Sequence, residues 1–201
     1  MRTHDQVVNG LMQRTGVRAE VDRIAREESE ILYFGKQSPS MTRSSVHTSS
    51  SHHIRRASSD DAGAVAACVQ AAYQPWIATI GTKPGPMKQD YSQVISEAQV
   101  FLAESEAGVD GILVLRVDSE EFLLENVAVH PRAKGKGLGA CLLAIAEREA
   151  MSQGFNSLSL YTHERMATNI ALYLMHGYVE FDRRTEHGLP RVFMRKLLPA
   201  Q

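Results

Sequence analysis

Several features that would point elsewhere are scarce in this chain. It has two cysteines in 201 residues, Cys68 and Cys141, and both fall inside apolar helical patterns. They read as buried, inert thiols rather than redox or nucleophilic groups. It lacks an excess of either charge: 22 basic against 23 acidic residues create no long-range field to recruit nucleic acid or an anionic membrane. No apolar run approaches the ~20 residues that span a bilayer, and Met1 to Gly16 has no apolar stretch of the kind that directs secretion. His52 and His53 are adjacent in a Ser-rich stretch without cysteine, so they read as solvated and no metal site is assigned. These absences lead to the expectation of a soluble, cytoplasmic protein without nucleic-acid or membrane partners.

Composition divides what is present into three segments. Residues 1–34 read as a helical extension, with Val8, Leu11, Met12, Val21 and Ile24 at helical spacing among Glu and Arg. Residues 35–53 are rich in Ser, Thr and His and nearly devoid of large apolar side chains, so they cannot offset the entropy of ordering and read as a flexible linker. Residues 54–201 carry the regular pattern of a folded domain, and Met41 offers an alternative start. The phrase THDQVVNGLMQRTGVRAEVDRIAREE in the extension loosely resembles the leading helices of bacterial helix-turn-helix antitoxins. No recognition helix follows, so DNA binding does not carry over. A surface helix pair or a dimer contact is the simpler reading, which leaves a homodimer open.

Within the domain, Ile54 to Ala57 reads as a short strand. Ser58-Ser59-Asp60 then caps a helix with Ala64, Val65, Cys68, Val69 and Ala72 on one face, broken by Pro75. A Gly/Pro-rich loop from Gly81 to Pro86 precedes a second helix over Met87 to Ala98. Strands are expected at Val100–Glu104, Gly111–Val117 and Phe122–Val129, spaced closely enough for an antiparallel meander. A helix from Gly137 to about Ser152 faces Leu138, Leu142, Ile145 and Ala146 inward. A strand at Leu158–Tyr161, a helix at Ala167–Met175 and strands at Val179–Phe181 and Val192–Lys196 complete a mixed α/β layer.

The sharpest chemical feature joins the end of the third meander strand to that helix: Val127-Ala128-Val129-His130-Pro131-Arg132-Ala133-Lys134-Gly135-Lys136-Gly137-Leu138-Gly139-Ala140. Glycines let backbone approach a ligand closely. A helix start presents unpaired N–H groups and partial positive charge, and Arg132, Lys134 and Lys136 add whole charges. The pattern predicts an anion site. Gly135-x-Gly137-x-x-Ala140 also satisfies the dinucleotide fingerprint, so a Rossmann-like oxidoreductase is a rival. Against it, that fingerprint follows the first strand of its sheet and opens a long βαβαβ unit, whereas here several strands precede it and too few residues follow.

Arg132-x-x-Gly135-x-Gly137 resembles the coenzyme A pyrophosphate loop of the GNAT acetyltransferases. Asn169-Ile170-Ala171-Leu172-Tyr173, closed by Gly177-Tyr178, resembles that family's second signature. The resemblance covers Ile54 to Leu198. It implies a mostly antiparallel twisted sheet flanked by helices, acetyl-CoA as cofactor, and an amine on a small molecule or protein as acceptor. By the same resemblance Val127 and Val129 on a splayed strand pair would hold pantetheine. The loop from Arg132 to Ala140 and Asn169 would hold the rest of the cofactor, and Tyr173 would face the thioester sulfur as proton donor. Glu125 stands where many members place the carboxylate that deprotonates the amine, with His163 and Glu164 as alternates. Alternation puts Glu125, Val127 and Val129 on one strand face and Asn126 on the other, unless a bulge changes the parity. Substrate contacts are expected from Tyr73, Trp76, Asp90 and Tyr91, with Asn126 and His163; an aromatic-lined site with one acid would suit a cationic amine. A catalytically silent acyl-CoA sensor is the second alternative.

Overall fold

The computed structural model describes residues 52–117 and 120–199. The helical extension, the Met41 start and the linker up to residue 51 lie outside the described residues. The folded unit takes in the last two linker residues: β1 spans His53–Arg56, and His52 Nε2 donates to Asp110 Oδ2 at 3.1 Å.

Six further strands, β2 (Gln99–Ser105), β3 (Gly108–Val117), β4 (Phe122–Val129), β5 (Ser157–His163), β6 (Val179–Glu186) and β7 (Leu189–Leu197), join β1 in one sheet. The order is β1-β2-β3-β4-β5-β7-β6. Neighbours are antiparallel except β4 and β5, which are parallel. The tight turns of β2–β3, β3–β4 and β6–β7 permit only antiparallel return, while the β4–β5 connection carries a whole helix, the crossover a parallel pair needs. The expected mixed, mostly antiparallel sheet is present, and with one parallel pair it is not the doubly wound parallel sheet of a dinucleotide-binding enzyme. β6 continues five residues past the expected Phe181, and a tight turn with His187 at φ 50 and Gly188 at φ 75 leads into β7.

Helices cover both faces. On one lie α1 (Ala62–Tyr73), the short α2 (Trp76–Ile80) after Pro75, and α3 (Tyr91–Glu97). On the other lie α4 (Leu138–Ser152) and α5 (Ala167–Met175). Alternation along β3 sends Ile112 and Val114 into the first core with Val65, Val69 and Val94, and Leu113 and Leu115 into the second with Leu142, Leu158 and Met194. Arg55 bonds both Asp61 and Glu104 at 2.8 Å, tying β1 to the start of α1 and to β2.

Three local expectations change. Ala64 is exposed, because the buried stripe of α1 is Val65, Cys68, Val69 and Ala72. Cys141 is exposed, because the inward face of α4 is carried by Leu138, Leu142, Ile145 and Ala146 with Leu143 and Ala150. The helix expected over Met87–Ala98 is divided: a 3-10 turn covers Gly85–Lys88, and α3 starts only at Tyr91 because the Asp90 carboxylate caps it, accepting from the Ser92 N–H at 2.9 Å. Among the described residues no helix is long and apolar enough to cross a membrane.

The α4 helix seats directly on β3 at Gly111, where a Cβ would stand 3.0 Å from Leu142 Cδ1 and 3.1 Å from Leu138 Cδ2. Gly111→Val should overpack this contact, destabilise the fold by about 1–3 kcal/mol and lower Tm by roughly 2–4 °C per kcal/mol. Thermal unfolding checks this; an unchanged Tm would mean that the helix does not rest on that glycine.

Candidate active site

β4 changes parity at Glu125. Leu124 pairs with Leu115 and Asn126 with Val114, so Glu125 is an extra residue without a partner on β3, a β-bulge. Phe122 and Leu124 before the bulge, and Val127 and Val129 after it, all pack toward the α4 core, whereas Ala128 packs toward α1. Glu125 joins Asn126 on the α1 side. Gln89 Nε2 donates to Glu125 Oε1 at 2.7 Å, the Tyr73 hydroxyl donates to Asn126 Oδ1 at 2.7 Å, and Asn126 Nδ2 donates to the Tyr91 hydroxyl at 3.2 Å. Simple alternation, which placed Glu125 with Val127 and Val129, is corrected by the bulge.

The bulge also marks where β4 and β5 separate. Their parallel pairing is confined to Leu123↔Ser159 and Leu124↔Leu160. Beyond Leu124 the strands part, leaving a fork whose β4 prong holds Val127 and Val129.

Above the fork runs the glycine-rich connection. Pro131–Ala133 form a 3-10 turn anchored by buried Ala133, and His130 Nδ1 accepts from the Arg132 N–H at 3.3 Å. Lys134, Gly135, Lys136 and Gly137 are exposed, Leu138 is buried, and Gly139 and Ala140 are half-buried. Gly135 and Gly137 have φ of 72° and 76°, and a Cβ on either would meet nothing within 4 Å. Open space therefore lies over backbone in a conformation that favours glycine. Gly137 is the N-cap of α4 and no side chain caps the helix, so its first N–H groups are free for an anion. The turn fits a pyrophosphate.

Arg132 is engaged elsewhere. Its Nε bonds the Asp110 carboxylate, and its Nη2 donates to the Val109 carbonyl at 3.0 Å. Asp110 is buried, accepts from His52, and through its own carbonyl accepts from the His130 N–H at 2.7 Å. Burial pushes the Asp110 pKa up, but hydrogen bonds from Ser105 and Arg132, with the Arg132 charge and His52, outweigh it and hold the carboxyl below its ordinary range.

On the α1 side of the bulge lies a cleft of about 200 Å³ walled by Tyr73, Gln89, Glu125, Tyr161, His163 and Arg191, with Ile80, Pro84, Met166 and Leu189 as its apolar part. Tyr73, His163 and Glu125 were legible candidates. Tyr91 and Asn126 stand behind Tyr73 in a hydrogen-bonded chain that ends on the Pro86 carbonyl, 3.0 Å from the Tyr91 hydroxyl. Asp90 is spent on capping α3, and neither it nor Trp76 lines the cleft. Glu164 does not line it either and pairs with Arg183 at 3.7 Å. Sequence reading missed Gln89, Tyr161 and Arg191. Alternation on β5 could have found Tyr161, which shares a face with His163; Arg191 is brought in only by the β5–β7 register, where it pairs with His163.

The charged groups of the cleft are mostly partnered. Arg116 pairs with Glu125 and lies 3.6 Å from Glu97. His163, now the last residue of β5, has its pKa lowered by burial, with Glu164 opposing and Arg165 reinforcing the shift. Its Nδ1 accepts from the Arg165 N–H at 3.1 Å, so in the neutral ring the proton sits on Nε2. Tyr173 on α5 is buried, with its ring edge-on to Tyr178 at 5.8 Å between centroids, and burial raises its pKa well above the ordinary phenol range. Burial, then Tyr173, Tyr91 and Tyr161 nearby, does the same to Tyr73. Asn169, half-buried, lies one turn before Tyr173.

Residues 96–180 match the family described as Acetyltransferase (GNAT) domain. No curated protein matches the chain. Solved structures share its fold. The PaiA N-acetyltransferase from Thermoplasma acidophilum, in complex with coenzyme A, is 19% identical with a TM-score of 0.64, covering 73% of this chain and 99% of its own. The ribosomal-protein-S18-alanine N-acetyltransferase from Escherichia coli is 20% identical, TM-score 0.58, over 75% and 96%. A GNAT family acetyltransferase from Elizabethkingia anophelis with acetyl-CoA bound is 18% identical, TM-score 0.53, over 74% and 99%.

The Asp110 network makes a pH-dependent prediction. A carboxyl depressed in the folded state contributes stability that is complete above its unfolded pKa of about 3.9 and lost as pH falls through the lower folded value. Asp110→Asn should therefore cost about 1–2 kcal/mol at pH 7, allowing for water that screens Arg132. The difference from wild type should shrink below about pH 4. Denaturant unfolding at pH 7, 4 and 3 measures it, and a pH-independent difference would show that the charge is not what matters.

Proposed function

We propose that this chain, which carries a GNAT acetyltransferase domain over residues 96–180, moves an acetyl group from acetyl-CoA onto an amine of a small molecule or a protein. The observation that carries the reading is the parting of β4 from β5 after Leu124, beside an uncapped helix start with two open, positive-φ glycines. N–H groups from Gly135 to Ala140, with Lys134 and Lys136, would hold the pyrophosphate. Backbone of Val127 and Val129 in the fork would hold the pantetheine amides, and Asn169 would add a side-chain contact. Arg132 serves this site by fixing the turn to Asp110 rather than by touching phosphate. When bound, acetyl-CoA supplies an acetyl carbon activated as a thioester.

The remaining steps belong to the chain. An amine of pKa ~10 is almost wholly protonated at pH 7, so a proton must leave before attack. Glu125 is the carboxylate lining the cleft and takes that proton, directly or through water. His163 is the poorer base because its Nδ1 has a single lone pair, already occupied, and its Nε2 carries the proton, whereas each Glu125 oxygen keeps a second lone pair beside the bond from Gln89 or Arg116. The neutral amine nitrogen then bonds the acetyl carbon as the carbon–sulfur bond breaks; nitrogen gives up a second proton, sulfur gains one, and one proton is released to solvent overall. Tyr173 stays protonated throughout the neutral range because burial raises its pKa, so it donates a hydrogen bond to the developing thiolate. A thiol has a pKa near 8.5, so complete transfer from this phenol is uphill and water delivers the proton itself.

Acetyl-CoA at a hundredfold over Kd should stabilise the protein by ~2.7 kcal/mol, whereas NAD should not. Gly137→Asp should abolish that shift, because its side chain occupies the open space and its charge repels phosphate. A melting shift with NAD and none with acetyl-CoA would refute the reading. Tyr173→Phe should leave folding and cofactor affinity intact and lower kcat by about 10- to 100-fold, the loss of one hydrogen bond to a developing charge. If chemistry limits turnover and the variant stays within about twofold of wild type, the tyrosine only packs.

A further inference from the structure

We infer that the acceptor is a small amine that also carries a carboxylate, of the kind an apolar free amino acid presents; this rests on the acetyl-transfer reading above. The cleft of about 200 Å³ is smaller than the sites that enclose drug-sized ligands, which run from about 300 Å³. Ile80, Pro84, Met166 and Leu189 give its lining an apolar share. Its charged groups are unevenly satisfied.

At one end, Glu125 is the carboxylate among the lining residues, and Arg116 and Gln89 already hold its two oxygens. A polyamine would bring a second cation into the cleft with no carboxylate left to meet it. Beside Glu125, Gln89 Oε1 is buried without a hydrogen-bond partner, an acceptor that one N–H of the amine would satisfy.

At the other end, Arg191 lies over the Tyr161 ring at 4.2 Å and donates from Nη1 to Glu186 at 2.9 Å. Glu186 is shared with Arg184, which bonds it at 2.8 Å. Arg195, on the same sheet face, bonds the Ser159 hydroxyl rather than a carboxylate. On β6 and β7, Arg184, Arg191 and Arg195 thus stand with Asp182 and Glu186, one more cation than anion, and Arg191 is the one among them that lines the cleft. A guanidinium held over an aromatic ring is preorganised for a carboxylate. Amine at Gln89 and Glu125, carboxylate at Arg191 and an apolar side chain against the apolar lining residues then fill the cleft.

The test uses the full chain. Acetyl-CoA binding is first measured by calorimetry. Thiol release is then followed with the L-amino acids, with the carboxamides of those acetylated, and with spermidine. Apolar amino acids should be acetylated, and their carboxamides should have at least tenfold lower kcat/KM. Arg191→Gln should raise KM for the amino acid by about 10- to 100-fold while leaving the carboxamide nearly unchanged, and Arg191→Lys should restore part of the loss. Preference for spermidine or carboxamides, or equal losses on both substrate types in Arg191→Gln, would overturn the inference. So would acetyl-CoA binding without acetylation of any amino acid, which leaves the acetyl-transfer reading intact. Absence of acetyl-CoA binding would remove that reading, and the inference with it.

Discussion

The extra residue in β4 is the constraint on which the site depends. With strict alternation, Phe122 and Leu124 on the α4 face would be followed there by Asn126 and Ala128, and Val127 and Val129 would turn to the opposite side. The bulge at Glu125 instead gives the α4 core four apolar contacts from one strand and puts two polar side chains together on the opposite face. It coincides with the loss of pairing to β5, since a bulged strand bends and twists away from its neighbour. One inserted residue therefore accounts for the fork, for the placement of Val127 and Val129, and for Asn126 standing beside Glu125 rather than among leucines, where an unpartnered amide would be costly.

Most of the element order was legible because it depends on local signals. Gly and Asp turns set the meander, Pro75 ends α1, and the basic glycine turn opens α4. What the sequence hid is non-local. The parity of Glu125 depends on which β3 residues lie opposite, and nothing near Glu125 marks Val114 and Leu115 as its neighbours' partners. Arg132 reads as a phosphate ligand beside two lysines, but Asp110, a strand earlier, claims it. Arg191 reaches the cleft only because β7 inserts between β5 and β6, an arrangement that connection lengths alone do not dictate. Cys141 shows the limit of periodicity. It lies three residues after inward-facing Leu138, but the edge of an amphipathic stripe is set by what packs against it.

Ion pairing separates scaffold from binding surface. Arg55, Arg116 and Arg132 each bond carboxylates and tie one element to another, Arg55 to Glu104 on β2, Arg116 to Glu125 across the β3–β4 hairpin and Arg132 to Asp110 on β3. Lys134 and Lys136 instead stand exposed at the turn. In the proposed site, affinity for an anion would rest on two exposed point charges and on backbone N–H groups fixed by geometry. The second contribution cannot be replaced by moving a charge elsewhere on the surface, because it depends on the helix start and its positive-φ glycines. Holding Arg132 to Asp110 serves that geometry, since Asp110 also anchors the His130 N–H at the start of the turn.

The tyrosines around the fork complete the division of labour. Burial raises the pKa of Tyr73, Tyr91, Tyr161 and Tyr173, so none of them ionises near neutral pH and each remains a hydrogen-bond donor. Tyr73 spends its proton on Asn126 and Tyr91 spends its own on the Pro86 carbonyl, which stiffens the wall behind the cleft without adding charge. With the phenols fixed as donors and His163 holding its proton on Nε2, the proposed reaction leaves Glu125 as the proton acceptor on the cleft side, with the Gln89 carbonyl beside it as a hydrogen-bond acceptor only. The pH dependence of turnover on the alkaline side then follows the acceptor amine losing its own proton rather than any tyrosine, because an environment that stabilises neutral phenols also favours entry of an amine in its neutral form.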